Sequence, residues 1–160
     1  MTAGMATPSG PGLLHPLTRW LTRRRSFLRL ITAAHVAVYR GSGGRVGARG
    51  RGLEFLLLHT IGARTGRSRT TPLLYLADGD LLVVVASNGG RDSHPGWHHN
   101  LLSAPAASVT VGRERREVRA RVAGPHERER LWPLLDRLYP YDAYRAHTSR
   151  EIPIVLLERA

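Results

Sequence analysis

Between His59 and Asn100, three apolar runs of strand length are separated by two polar, glycine-broken turns. Runs that short, punctuated that densely, have no room for a long helix and favour small paired strands. The first turn reads Thr60-Ile61-Gly62-Ala63-Arg64-Thr65-Gly66-Arg67-Ser68-Arg69-Thr70-Thr71-Pro72. It leads into Leu73-Leu74-Tyr75-Leu76, a tight Asp78-Gly79-Asp80 turn, and an apolar run over 81–86. The second turn is Ser87-Asn88-Gly89-Gly90-Arg91-Asp92-Ser93-His94-Pro95-Gly96-Trp97. Arg64, Arg67 and Arg69 with Thr65, Ser68, Thr70 and two glycines compose an anion cradle. Glycine lets backbone N–H groups converge, hydroxyls donate, and guanidinium forks grip phosphate or carboxylate oxygens.

A chain of 160 residues with 42% hydrophobic content can bury a real core as one domain with appendages. No apolar run approaches membrane-spanning length. The absence of cysteine excludes disulfides, thiolate metal sites and cysteine nucleophiles. All 24 basic side chains are arginine, which reads as coding bias.

The net charge of +12 is unevenly placed. Residues 1–52 carry nine arginines and no carboxylate; residues 53–160 hold fifteen arginines against all twelve acids, leaving +3. A mildly basic body therefore follows a cationic extension, which attracts anionic lipid, nucleic acid or a polyanionic ligand.

Along the chain, residues 1–12 are Pro/Gly/Ser-rich. Residues 13–39 have helical spacing of Leu17, Trp20, Leu21, Phe27, Leu28 and Ile31, interrupted by Arg23, Arg24, Arg25 and Arg29. A glycine/arginine linker follows over 41–52, so two parts are expected: a basic helix and linker over 1–52, and a β-rich domain over 53–160. Strands are expected at 53–60, 70–76, 81–87, 108–111, 116–122 and 152–158, with helices at 95–103 and 126–138. Pro95 suits a first helical turn, whereas Pro133 should kink or restart the second helix. Six short strands with few helices point to a small antiparallel barrel.

Four motifs in order carry a family likeness: Gly62 to Pro72, Ala86-Ser87-Asn88-Gly89-Gly90, His94-Pro95-Gly96-Trp97-His98-His99-Asn100, and Tyr139-Pro140 through Thr148-Ser149-Arg150-Glu151-Ile152-Pro153. On these the chain, from about Tyr39 to its C-terminus, resembles the deazaflavin-dependent nitroreductases. These are mainly-β oxidoreductases with a split β-barrel of the FMN-binding type that use coenzyme F420, an 8-hydroxy-5-deazaflavin.

The resemblance implies that Arg64, Thr65, Ser68, Arg69 and Thr70 bind the coenzyme's phosphate and polyglutamate tail. Pro72 and Leu73 would lie along the ring, and Ser87, Asn88, Gly89, Gly90 and Arg91 would offer backbone N–H groups to its oxygens. Trp97 would supply an apolar wall and Asn100 a fixed amide. Ser87, Tyr139, Tyr141 and Tyr144 would act on the substrate, since a phenol with pKa about 10 stays protonated and donates to an oxygen gaining charge. The implied reaction is hydride transfer to a small or lipophilic acceptor: a quinone, a nitroaromatic or an activated alkene. His98 stands where the family commonly has tyrosine, so acceptor range transfers least.

Each role has a plainer rival. The first-turn arginines are also a solvated hairpin tip, Trp97 beside Leu101 a core residue, Ser87 a polar strand end, and the tyrosines a barrel cap. His94, His98 and His99 share helical spacing, but Pro95 sets His94 before the helix and no carboxylate pattern accompanies them, so no metal site is expected. Ser87 lacks the G-x-S-x-G setting of a hydrolase nucleophile.

For the N-terminal helix three readings stand. Arg24-Arg25-Ser26-Phe27-Leu28-Arg29 has the look of a twin-arginine export signal, without an A-x-A site. Its arginines also suit anionic lipid at the inner face of the cell membrane, in a cytoplasmic enzyme that draws a quinone from the bilayer. The helix would otherwise pack on the barrel. Two alternatives to the main reading are a non-enzymatic basic module holding nucleic acid or membrane, and the same barrel using FMN.

Overall fold

The computed structural model describes residues 53–160 and the backbone of 49–50. The helix expected at 13–39 and most of the linker expected at 41–52 lie outside the described residues. Within that linker stretch a two-residue strand, β1 (Arg49–Gly50), pairs with the start of β2 (Leu53–Ile61), Arg49 opposite Glu54.

The other strands are β3 (Ser68–Asp78), β4 (Leu81–Val85), β5 (Ala106–Val111), β6 (Glu114–Val122) and β7 (Ile154–Arg159). Every pairing is antiparallel, in the order β2-β3-β4-β7-β6-β5, and β5 returns to β2 to close a six-stranded barrel. Closure removes the sheet edges that would otherwise template aggregation.

The side-chain pattern explains which strand lies where. Along β6, Arg115, Glu117, Arg119 and Arg121 are exposed while Val118 and Ala120 are buried, the alternation of a strand with one wet face. By contrast, Val83, Val84 and Val85 in β4 and Ile154 to Leu157 in β7 are buried on both faces. One face meets the barrel interior, where Leu56, Leu58, Leu82, Val84, Val109, Val118, Val155 and Leu157 pack together. The other meets a helix, α2 (Pro125–Leu138), whose Leu131 and Leu135 sit on Val83, Val85, Ile154 and Leu156. Complete burial of each leucine contributes about 1.5–3 kcal/mol. Arg121 fastens the start of α2 to the sheet, with both Nη atoms on Glu127 at 2.7 and 2.8 Å and Nε on Glu158 at 2.6 Å.

Pro133 was expected to kink or restart α2, and the helix instead runs on through it as one element. The proline sits on the exposed face, where only one backbone hydrogen bond is lost. Helix α1 (Gly96–Ser103) begins one residue later than expected, with Pro95 as its cap, and a single turn, α3 (Asp142–Arg145), was not foreseen.

Topology gathers the motifs. Strand β2 runs up to the first turn, and β4 runs the same way to the second. Strand β7 starts beside the end of β4, with Val85 opposite Ile154. The two turns, helix α1 and the segment 139–153 therefore share one end of the barrel, with Trp97 and Leu101 of α1 packed into the interior there.

Candidate active site

The first turn is closed by its own backbone. Gly62 donates to the Arg67 carbonyl at 2.9 Å and its carbonyl accepts from Thr65 and Gly66 at 3.0 and 2.8 Å. A Cβ at Gly62 would lie 2.7 Å from the Thr65 hydroxyl, so any larger residue there would displace the Thr65 side chain. Asn100 in α1 anchors it from below: Oδ1 accepts from the Ala63 N–H at 3.0 Å and Nδ2 donates to the Thr60 hydroxyl at 3.0 Å. The fixed amide expected of Asn100 is thus largely committed to shaping the turn.

Arg64, Thr65, Arg67, Ser68 and Arg69 are all exposed on that turn, with Thr70 half-buried behind them. Among the described residues none of the three arginines has an ion-pair partner, whereas Arg116 and Arg121 of the barrel and Arg128 and Arg130 of α2 do. No acid occurs in sequence between Glu54 and Asp78, so their charge stays uncompensated. Unpaired guanidinium forks held on a rigid turn suit an anionic ligand.

The second turn has a backbone shape that side-chain patterns do not reveal. Ser87 is right-handed helical (φ −67°, ψ −35°). Asn88, Gly89 and Gly90 then all take positive φ, at 50°, 64° and 73°. A right-handed residue followed by left-handed ones turns successive N–H groups to one side, forming a concavity for a negative atom. The Gly90 N–H bonds the Ser87 carbonyl, while the N–H groups of Ser87, Asn88 and Gly89 have no backbone partner among the described residues. The Asn88 amide closes its own turn by donating to the Ser93 carbonyl at 2.8 Å.

Of the residues expected along the ring, Pro72 and Leu73 face opposite sides of β3, as neighbours in a strand must. Leu73 packs on the interior cluster that contains Trp97. Trp97 itself is 7% exposed, so its ring serves chiefly as core. Ser87 is half-buried at the rim, and its hydroxyl makes no hydrogen bond among the described residues.

The three tyrosines form one cluster with two kinds of member. Tyr141 is 6% exposed within the layer between sheet and α2, and burial raises its hydroxyl above the ordinary phenol value. Tyr139 and Tyr144 are partly exposed, and their hydroxyls share a 2.8 Å hydrogen bond. Burial first, and then that bond, raises the Tyr144 hydroxyl as well. Its proton is retained throughout the physiological range. Asp142 ties the cluster to α2 by accepting from Trp132 Nε1 at 2.9 Å.

Turn and tyrosines touch. A Cβ built at Gly90 would fall 3.2 Å from the Tyr144 carbonyl and 3.2 Å from the His147 Cβ. Thr148 donates to Asp92 at 2.9 Å across the same seam. The residue that organises this seam, Arg150, was quoted within a motif but given no role by the sequence. Its guanidinium reaches the carbonyls of Ala86, Ser87, Arg91 and Glu151. It also donates to His94 Nδ1 at 3.1 Å. Sequence also missed the burial of His98, 4% exposed with neither ring nitrogen bonded. Burial, then the neighbouring His94, His99 and Arg150, pushes its pKa down to about 4.

Comparison with known proteins shows the family and the fold. The F420H(2)-dependent quinone reductase family matches residues 31–159. An F420H(2)-dependent quinone reductase of Mycobacterium tuberculosis is 43% identical over 150 residues, covering 89% of this chain and 98% of its own. A solved F420-H2 dependent reductase is 35% identical with a TM-score of 0.60, covering 65% of this chain and 93% of that one. A solved domain-swapped dimer, 30% identical, has a TM-score of 0.63 and covers 83% and 98%.

Proposed function

Because the chain belongs to the F420H(2)-dependent quinone reductase family, we propose that the end of the barrel built by its two turns and its tyrosine pair is where coenzyme F420 meets a quinone. The observation that carries this reading is the meeting, at one barrel end, of two complementary features. One is a set of uncompensated arginines on the first turn; the other is the run of unengaged N–H groups on the second.

The donor set fits the coenzyme. Arg64 and Arg69, with the hydroxyls of Thr65, Ser68 and Thr70, would grip the phosphate and carboxylates of its tail. The N–H groups of Ser87, Asn88 and Gly89 would hold oxygens of its ring, and Pro72 on the outer face of β3 would flank it. Once bound, the reduced coenzyme supplies a hydride, and the protein's task is binding, orientation and proton supply.

The remaining chemistry belongs to side chains of this chain. A quinone that accepts a hydride becomes an oxyanion and needs one further proton to finish as the hydroquinone. The Tyr139 and Tyr144 hydroxyls, hydrogen-bonded to each other at 2.8 Å, would donate it and recover it from solvent, and the Tyr144 backbone packs on Gly90 of the second turn. Ser87, the first residue of the second turn, would orient the acceptor through its hydroxyl. Tyr141 supports the other two from within the core, and we assign it no contact with substrate.

No helix among the described residues is long and apolar enough to cross a membrane. We assign the lipid contact that a lipophilic quinone calls for to the cationic stretch 1–52, at the inner face of the cell membrane.

The reaction is tested by mixing the full chain with reduced coenzyme and a soluble quinone. One hydroquinone should form per coenzyme oxidised. Coenzyme oxidation that ignores the quinone contradicts the reading.

A further inference from the structure

Arg150 is a half-buried cation with no carboxylate in an ion pair among the described residues. All its side-chain partners are neutral: four backbone carbonyls and one imidazole nitrogen. Because a guanidinium only donates, His94 Nδ1 must be the acceptor and carry no proton. Burial and the adjacent Arg150 hold His94 below its ordinary value, consistent with that neutral state.

The identity of the carbonyls matters. Nη2 donates to Ala86 at 3.1 Å and to Ser87 at 2.7 Å, and Nε donates to Arg91 at 2.7 Å. The carbonyl of Ala86 shares its peptide group with the Ser87 N–H, and the carbonyl of Ser87 shares its group with the Asn88 N–H. Two of the three unengaged N–H groups on the second turn thus belong to peptides whose oxygens bond a cation. A charged donor on a carbonyl withdraws density from the peptide and makes its N–H a stronger donor.

Resting on the assignment of the second turn to the coenzyme ring, we propose that Arg150 is a positioning residue that fixes and polarises the Ser87 and Asn88 N–H groups, strengthening their hold on a negative oxygen of the ring. It touches neither coenzyme nor quinone; it acts through two peptide groups. A lysine at this position keeps the charge but loses the planar fork, and reaches fewer of the carbonyls.

A purely structural staple would affect only folding. The 8-hydroxyl of the oxidised coenzyme distinguishes the two roles, because its anion delocalises onto the ring oxygens and is stabilised by polarised donors. The experiment measures three quantities for the full-length protein and for Arg150→Gln and Arg150→Lys. These are the dissociation constant of oxidised coenzyme by fluorescence quenching, the midpoint of 8-hydroxyl ionisation in the bound coenzyme by absorbance, and the thermal midpoint. Arg150→Gln should weaken binding on the order of tenfold and move the bound ionisation to higher pH. Arg150→Lys should give intermediate values of both. Wild-type affinity and wild-type ionisation in both variants would overturn the proposal. Gly89→Val, which distorts the turn itself, separates this failure from that of the underlying assignment. If Gly89→Val weakens binding and Arg150→Gln does not, the polarising role alone falls; if neither does, the second turn does not hold the ring. Should Arg150→Gln lack a cooperative unfolding transition, Arg150→Lys carries the comparison. Intermediate values then support the role and wild-type values overturn it.

Discussion

The Tyr139 and Tyr144 hydroxyls lie 2.8 Å apart, and the backbone of Tyr144 is packed against Gly90 of the second turn. The proposed proton donor and the proposed ring-binding turn therefore meet, although Gly90 and Tyr144 lie far apart in sequence. Replacing Tyr139 or Tyr144 by phenylalanine should lower turnover with quinone by about tenfold or more, while coenzyme affinity changes little. Tyr141→Phe should leave turnover near wild type. Steady-state rates alongside coenzyme titrations check this; equal losses for all three variants would reduce the cluster to packing.

The Gly90 contact gives a stability prediction. Alanine at this position meets the Tyr144 carbonyl at 3.2 Å and must also hold a φ of 73°. Gly90→Ala should cost about 1–3 kcal/mol and loosen the seam that Thr148 and Asp92 close. Urea unfolding measures the first effect and coenzyme affinity the second.

His98 predicts a pH dependence. Its folded-state pKa lies near 4, against 6.5 for an unburied histidine. Between those values the unfolded chain binds more protons, so stability rises with pH across that window and is lost as pH falls through it. The groups facing it, His94, His99 and Arg150, act in the same direction as burial. His98→Phe should flatten the stability curve between about pH 4 and 6.5, measured by thermal unfolding across pH.

The cationic extension predicts where the enzyme resides. Removing residues 1–40 should reduce association with anionic vesicles while coenzyme binding persists, because the two turns lie within the barrel. Each arginine near such a surface contributes about 1 kcal/mol. Sedimentation with vesicles of defined charge tests it, and unchanged lipid partitioning would defeat the lipid assignment.

Much of the fold was legible because barrel burial writes itself into side chains. Unbroken apolar runs mark β4 and β7, covered on both faces, and alternation marks β6, wet on one. Boundaries were less legible where pairing is a backbone matter. Strand β3 extends back to Ser68 and Arg69 because their peptides continue the ladder with Ile61 and Thr60, and a ladder needs no apolar side chain. Strand β4 stops at Val85, short of the expected Ser87, because Ser87 already takes helical angles. Of the candidate site, the exposure and the cationic character of the first turn were readable from residue type alone. The second turn was readable only as a glycine-rich break, since consecutive positive φ values have no unique spelling. Arg150 was silent because all but one of its partners are main-chain carbonyls, which every residue carries.

The proposed guanidinium clamp on the charged tail of a deazaflavin is addressed by one titration. Binding of oxidised F420 and of FMN is followed by fluorescence for the wild-type chain and for Arg64→Ala and Arg69→Ala, at low and high salt. F420 should bind far more tightly than FMN. Each substitution should cost about tenfold or more in F420 affinity, with a shallower salt dependence. Equal affinity for both flavins, or F420 binding untouched by either substitution, would contradict the clamp.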